Sequence, residues 1–312
     1  MSSIKNYLSL VKFSHTIFAM PFALIGFFLA ISNPSAYNPA IKQWSLNATI
    51  GWIPFYENLN WNYVAKQFVL VILCMITARS AAMAFNRWLD KSFDAKNPRT
   101  AIREIPAGII SANSALLFVV INCIVFITCT WFINKICFFL SPVALFVILF
   151  YSYTKRFTAL CHLVLGLGLS LAPIGAYLAV TGRFDVLPVM FSFAVLFWVS
   201  GFDIIYALQD IDFDQSQNLY SIPAVLGKKR SLRVSELLHF ASAALIIGAG
   251  LIASFGLLYW LGCVIFCGML FYQHSIVKPD DLRRVNLAFM TANGIASVVF
   301  AVFVIADLFF FK

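Results

Sequence analysis

The chain has 312 residues, 62% of them hydrophobic and only 11% charged, with a mean hydropathy of +0.88 and a formal net charge of +9. So much apolar surface cannot be hidden in the core of a water-soluble domain, which excludes a soluble enzyme and makes the bilayer the solvent for most of the chain. Sustained period-two alternation is absent, which excludes a membrane barrel and leaves helices as the spanning elements.

In chain order, the first residues carry Lys5 and Lys12 on a mildly amphipathic segment expected to lie on the membrane surface. Windows of about 19 residues then place spans near 14–32, 66–86, 112–133, 137–154, 160–181, 186–209, 236–255, 257–275 and 286–311. His15 falls at the start of the first window, where an interfacial role is expected. Pro142 and Pro173 interrupt the fourth and fifth windows, so neighbouring helices must supply the lost backbone partners. The polar stretch at about 33–64 reads as an outer loop, and those at about 87–111 and 210–235 as loops on the opposite side. The expected architecture is one all-α integral membrane domain over 1–312, with about nine transmembrane helices around a central cavity open to the lipid.

With the N-terminus on the cytoplasmic side, sixteen of the 22 Lys and Arg fall inside and five outside, leaving Arg79 within a span. This positive-inside asymmetry accounts for the net charge without nucleic acid as a partner. It sets the N-terminus and both inner loops in the cytoplasm, with a bacterial inner membrane as the expected location. The seven cysteines are odd in number and sit in or beside apolar runs, so they read as packing residues rather than disulfides.

Only 13 residues are acidic, and five of them crowd into two short stretches that each follow a span on the cytoplasmic side. The first reads Asn86-Arg-Trp-Leu-Asp90-Lys-Ser-Phe-Asp94 and the second Gln209-Asp210-Ile-Asp212-Phe-Asp214. A spacing of four sets Asn86, Asp90 and Asp94 along one helical face, and likewise Asp210 and Asp214, whereas Asp212 points away. Like charges so placed repel unless a cation sits among them, and hard oxygen donors suit Mg²⁺, which in turn would hold a diphosphate. The competing reading is that these carboxylates solvate loop ends beside Lys91, Lys96 or Arg99. Two copies at the same end of two spans favour the metal.

These stretches resemble the signatures of UbiA-type prenyltransferases. The resemblance rests on Asn86-x-x-x-Asp90-x-x-x-Asp94 followed by Asn97-Pro98-Arg99-Thr100, on Tyr151-x-x-x-Lys155-Arg156, and on Tyr206-Ala-Leu-Gln209-Asp210-x-x-x-Asp214 through Ser221-Ile222-Pro223. It covers about residues 15–229 and is nearest to the branch that alkylates hydroxybenzoate in quinone synthesis. Asn218 stands where the family usually has Gly, and Asn tolerates the left-handed backbone that such a turn needs.

The resemblance implies transfer of a polyprenyl group from its diphosphate to a ring carbon of an aromatic acid, with Mg²⁺ as cofactor. Asp90, Asp94, Asp210 and Asp214, helped by Asn86, are the implied metal ligands. Lys155 is assigned to the diphosphate and Arg156 to the acceptor carboxylate, while Tyr151 and Tyr206 border the substrates. Arg79 and Asp203 lie within spans, where an unpaired ion is costly, and each precedes a motif residue by seven positions, Asn86 and Asp210 respectively. They are expected to face the same cavity and to pair, with Asp203 near the aromatic substrate. A hydroxynaphthoate or a porphyrin is an alternative acceptor, and an ion-coupled carrier is the alternative from another class.

Overall fold

Long apolar runs become helices because, in lipid, every backbone polar group must be satisfied within the segment. The computed structural model describes residues 3–11, 18–32 and 60–310, and among these all regular structure is helical apart from one isolated bridge between Lys278 and Asp281. A short surface helix, α1 (Ser3–Leu10), precedes α2 (Met20–Ser32) and α3 (Trp61–Leu89), and the brief α4 (Lys91–Lys96) follows. Then come α5 (Ala112–Ile133), α6 (Lys135–Thr154), α7 (Cys161–Thr181), α8 (Val186–Ala207) and another brief helix, α9 (Ile211–Ser216). The last are α10 (Ile222–Ile252), α11 (Leu257–Ile276) and α12 (Asn293–Phe310).

Eight of the described helical segments are long and apolar enough to cross a membrane. The first predicted window appears as the 13-residue α2; His15 and most of the outer loop at 33–59 lie outside the described residues. The other windows match observed helices, with two instructive differences. Helix α3 begins at Trp61 rather than 66 because the side chain of Asn60 accepts the Tyr63 N–H at 3.2 Å and caps the helix. Helix α10 begins at Ile222, so most of the predicted inner loop at 210–235 is helical. Its charged residues Lys228, Lys229, Arg230 and Arg233 depress hydropathy without opposing helix formation, and a break at Gly227 (φ +73°) divides this basic part from the start of the helix. Likewise the segment after 87 is not loop at first: α3 continues to Leu89 and α4 follows at once.

In a bilayer, helices associate through close packing rather than through hydrophobic expulsion, so small residues mark their contacts. A Cβ on Gly26 of α2 would stand 2.1 Å from the Pro173 carbonyl oxygen of α7, and one on Gly166 of α7 would stand 2.4 Å from Ser200 Oγ of α8. Both prolines are absorbed into continuous helices, Pro142 in α6 and Pro173 in α7. A buried aromatic cluster of Phe22, Trp198, Phe266 and Phe300 fills the interior between α2, α8, α11 and α12. Before α12 the chain makes a π-helical turn over Leu287–Ala292. Asn293 Nδ2 donates to the carbonyls of Ala288 and Phe289, while its Oδ1 accepts from Trp198 Nε1 and Gln273 Nε2, each at 2.9 Å. The carboxylate of Asp307, fully buried in α12, accepts the N–H groups of Gly256 and Tyr259 and so caps α11 from a neighbouring helix.

The alternation of span directions brings the ends of α3, α6 and α8 and the starts of α7 and α10 to one end of the bundle. Both aspartate stretches are at that end.

Candidate active site

Backbone bonds from Asp90 N to the Asn86 carbonyl (2.9 Å) and from Asp94 N to the Asp90 carbonyl (2.8 Å) carry the helical spacing across the junction of α3 and α4. Asn86, Asp90 and Asp94 are therefore kept on one face. In the second stretch, Asp210 closes a 3₁₀ turn after α8 and Asp214 lies on α9. Just past the end of α9 the chain turns at Asn218 in the left-handed region (φ +53°), with the Leu219 N–H returning to the Asp214 carbonyl at 2.8 Å. The expected turn is present with Asn in place of Gly.

The two stretches face each other across a polar chamber of about 290 Å³, lined by Asn86, Asp90, Asp94, Asp210, Asp214, Lys155 and Arg156 together with Tyr151, His162, Asp203 and Tyr206. Next to it is an apolar cavity of about 380 Å³. Met83, Tyr151 and Leu165 belong to both walls, so the polar chamber and the apolar cavity meet at these side chains. Exposed Val143 and Phe184 form part of the apolar rim, which opens that cavity toward the lipid-facing surface.

Each motif carboxylate holds a cation from another segment. Arg156 Nη2 meets Asp90 Oδ1 at 2.8 Å, and Asn86 Nδ2 donates to Asp90 Oδ2 at 3.0 Å. Arg103 Nη1 reaches both oxygens of Asp94, at 2.7 and 2.9 Å. Arg99 grips Asp210 with Nε and Nη2 at 3.2 and 2.6 Å and donates from Nη1 to the Tyr206 hydroxyl at 2.9 Å. Lys155 Nζ lies 2.7 Å from Asp214 Oδ1, while Ser221 Oγ donates to Oδ2 at 2.9 Å. Asp212 lines neither cavity, in keeping with its place off the shared face.

Burial pushes the Asp90 carboxyl above its ordinary range, against the lowering pull of Arg156. Burial draws the Lys155 ammonium down, but the Asp214 carboxylate more than offsets this and its net shift is upward. The Arg99 guanidinium is likewise opposed by burial and raised on balance by Asp210. Lys155 and Arg99 therefore stay charged across the physiological range.

The expected pairing of Arg79 with Asp203 does not occur. Asp203 Oδ2 instead lies 2.6 Å from His162 Nδ1, and Asp203 borders the polar chamber whereas Arg79 borders the apolar cavity. A seven-residue spacing puts each charge on the motif face of its own helix but says nothing about which helix stands opposite. Arg79 Nε is buried and has no hydrogen-bond partner among the described residues. Arg156, expected at the acceptor carboxylate, is engaged by Asp90 in this structure. His162, Arg99 and Arg103 also line the chamber, although the sequence offered Arg99 only as a partner for the carboxylates and gave His162 and Arg103 no site role. The two arginines had a signal there, a basic i, i+4 pair directly after the first aspartate stretch, whereas His162 had none because its partner lies 41 positions away.

The chain is similar to known proteins over most of its length. A 4-hydroxybenzoate octaprenyltransferase of Tolumonas auensis is 29% identical over 223 residues, which is 72% of this chain and 78% of that protein. Among solved structures, the apo form of a UbiA homologue from Aeropyrum pernix superposes with a TM-score of 0.73 at 26% identity, covering 94% of this chain and 96% of the other. A UbiA homologue from Archaeoglobus fulgidus, bound to GPP and Mg²⁺, has the same fold with a TM-score of 0.72 at 18% identity, covering 97% and 99%. Residues 48–295 match the UbiA prenyltransferase family, and the chain, an integral membrane protein with two aspartate stretches around one chamber, belongs to it.

Proposed function

We propose that this protein transfers a polyprenyl group from polyprenyl diphosphate to a ring carbon of an aromatic acid, 4-hydroxybenzoate first among candidates, in quinone biosynthesis. The observation that carries this reading is the junction of a charged chamber with an apolar, lipid-open cavity at Met83, Tyr151 and Leu165. A diphosphate headed by its anion and trailing an isoprenoid chain needs those two environments side by side. The name of the Tolumonas auensis relative supports the same donor and acceptor classes.

The donor set fits Mg²⁺. Asp90, Asp94, Asp210 and Asp214 offer hard oxygens, with Asn86 beside them, and among the described residues no three acidic, His or Cys side chains close into a metal cage. Mg²⁺ typically takes one or two carboxylates and completes its shell with water and substrate phosphates, so an open set of paired acids suits it. Bound there, it would supply Lewis-acid neutralisation of the leaving diphosphate.

The remaining roles follow from the side chains themselves. Lys155, Arg99, Arg103 and Arg156 now neutralise the four carboxylates, and they are the cations that can turn to diphosphate oxygens when metal takes the acids. Tyr151, where the chamber and the apolar cavity meet, shields the allylic carbon as its bond to oxygen breaks. Arg79 is the cation without an ion-pair partner at the cavity wall, so we assign it, rather than Arg156, to the acceptor carboxylate. Positive-inside charge supports a cytoplasmic chamber.

The test is prenyl transfer by purified protein in detergent, with Mg²⁺ or EDTA, offering 4-hydroxybenzoate and dihydroxynaphthoate in parallel, and with Asp90→Ala and Asp210→Ala. Metal-dependent product from 4-hydroxybenzoate, lost in both variants, is expected. Product from the naphthoate alone would transfer the reading to menaquinone synthesis, and turnover that survives EDTA would overturn the metal assignment.

A further inference from the structure

Building on that reading, we propose that His162 is a positioning residue that holds one oxygen of Asp203 so that the other accepts a hydrogen bond from a phenolic hydroxyl on the acceptor. His162 is 3% exposed at the start of α7, and Asp203, 23% exposed in α8, borders the chamber. A buried imidazole needs partners for both nitrogens. The Ile222 N–H donates to Nε2 at 3.4 Å, so that nitrogen is an acceptor and the ring proton sits on Nδ1. The Nδ1–H therefore donates to Asp203 Oδ2 at 2.6 Å, a charge-assisted bond that fixes the carboxylate's rotation.

Asp203 Oδ2 is thereby occupied, and Oδ1 has no protein hydrogen-bond partner among the described residues. The surrounding wall carries Tyr151, Tyr206 and Phe289, the last two with ring centroids 4.3 Å apart. Aromatic walls beside a fixed carboxylate oxygen suit a flat ring with a hydroxyl to donate. The ring carbon that attacks an allylic centre is made nucleophilic by that hydroxyl, and a carboxylate accepting its hydrogen bond increases the effect. Arg79, across Tyr151 in the adjoining cavity, leaves the acceptor's acid group a separate place.

His162 also ties the acceptor side to the donor side, since Ile222 follows Ser221, whose hydroxyl holds Asp214. A test must therefore separate loss of the Asp203 bond from a shift of that helix start. Glutamine does so, because its amide can donate to Asp203 and accept from Ile222 as the imidazole does, while phenylalanine can do neither.

The experiment measures kcat and the KM of each substrate for the full chain and for His162→Gln, His162→Phe, Asp203→Asn and the Phe/Asn double variant, with Mg²⁺, 4-hydroxybenzoate and a prenyl diphosphate. His162→Phe is expected to lower kcat/KM for the acceptor by about 10- to 100-fold, the worth of one hydrogen bond to a charged group, and to leave the prenyl diphosphate KM unchanged. His162→Gln should restore most of the loss, and His162→Phe should add little once Asp203 is Asn. Wild-type turnover in His162→Phe, equal damage to both KM values without rescue by Gln, or full additivity with Asp203→Asn would overturn the role of His162 alone. A wild-type protein that prenylates no phenolic acid would overturn this inference and the proposed function together.

Discussion

Lys155 Nζ and Asp214 Oδ1 stand 2.7 Å apart, with the aspartate side chain fully buried and the lysine one-third exposed. The pair joins the end of α6 to α9, and the Tyr220 N–H reinforces it by bonding to the Lys155 carbonyl at 2.7 Å. Removing one partner leaves a buried charge without compensation, whereas removing both does not. Lys155→Met is therefore expected to destabilise the protein by about 3 kcal/mol, and Lys155→Met with Asp214→Asn by clearly less than the two singles combined. Thermal unfolding in detergent reads this directly, and additive losses would contradict it. Activity should be lost in all three.

Asp90 makes a second prediction, in pH. Burial raises its carboxyl and Arg156 lowers it, with burial dominant, so the folded chain binds that proton more tightly than the unfolded chain. The Asp90 contribution to stability is then fully present below the unfolded value, about pH 4, and is lost as pH rises through the folded value. Arg156→Gln removes the lowering influence and should extend the loss to higher pH. Melting curves of chelator-treated wild type and Arg156→Gln, taken from about pH 4 to pH 7, should diverge as pH rises. Parallel curves would mean that Arg156 does not act on Asp90.

Asn218 tests the turn that presents Asp214. Its φ of +53° is tolerated by Asn and Gly but costs a β-branched residue about 1–2 kcal/mol. Asn218→Gly should leave both stability and prenyl transfer near wild type. Asn218→Val should lower the melting temperature and weaken Mg²⁺-dependent turnover, because the Leu219 to Asp214 backbone bond is made only when the chain reverses there. Equal behaviour of the two variants would refute this account.

Asp307 is a structural acid far in sequence from both motifs. It caps α11 through the N–H groups of Gly256 and Tyr259, at 2.7 and 3.2 Å. Asp307→Ala leaves buried donors unsatisfied and is expected to cost about 1–3 kcal/mol, with kcat per folded molecule unchanged. A loss of kcat without loss of stability would reveal a catalytic connection that the geometry does not contain.

Much of this molecule is local and therefore legible in the order of its residues. Apolar runs long enough for a bilayer specify the helices, since an isolated span satisfies its own backbone. The i, i+4 spacing of Asn86, Asp90 and Asp94 sets those groups on one face whether or not a helix boundary intervenes. The requirement for a left-handed residue at Asn218 is equally local. Hydropathy failed where charge and helix coexist, at the basic start of α10, because it measures transfer to lipid and not backbone conformation.

What only the tertiary structure decided is which groups meet across helices. Arg79 and Asp203 shared a register argument, yet Asp203 went to His162 and Arg79 kept the apolar wall. Lys155 and Arg156 are adjacent in the chain but turn to acids 124 residues apart, Asp214 and Asp90. Such pairings depend on helix rotation and on close contacts like Gly26 against Pro173, and in a bilayer, where apolar faces gain nothing by leaving lipid, shape and polar partners set that rotation.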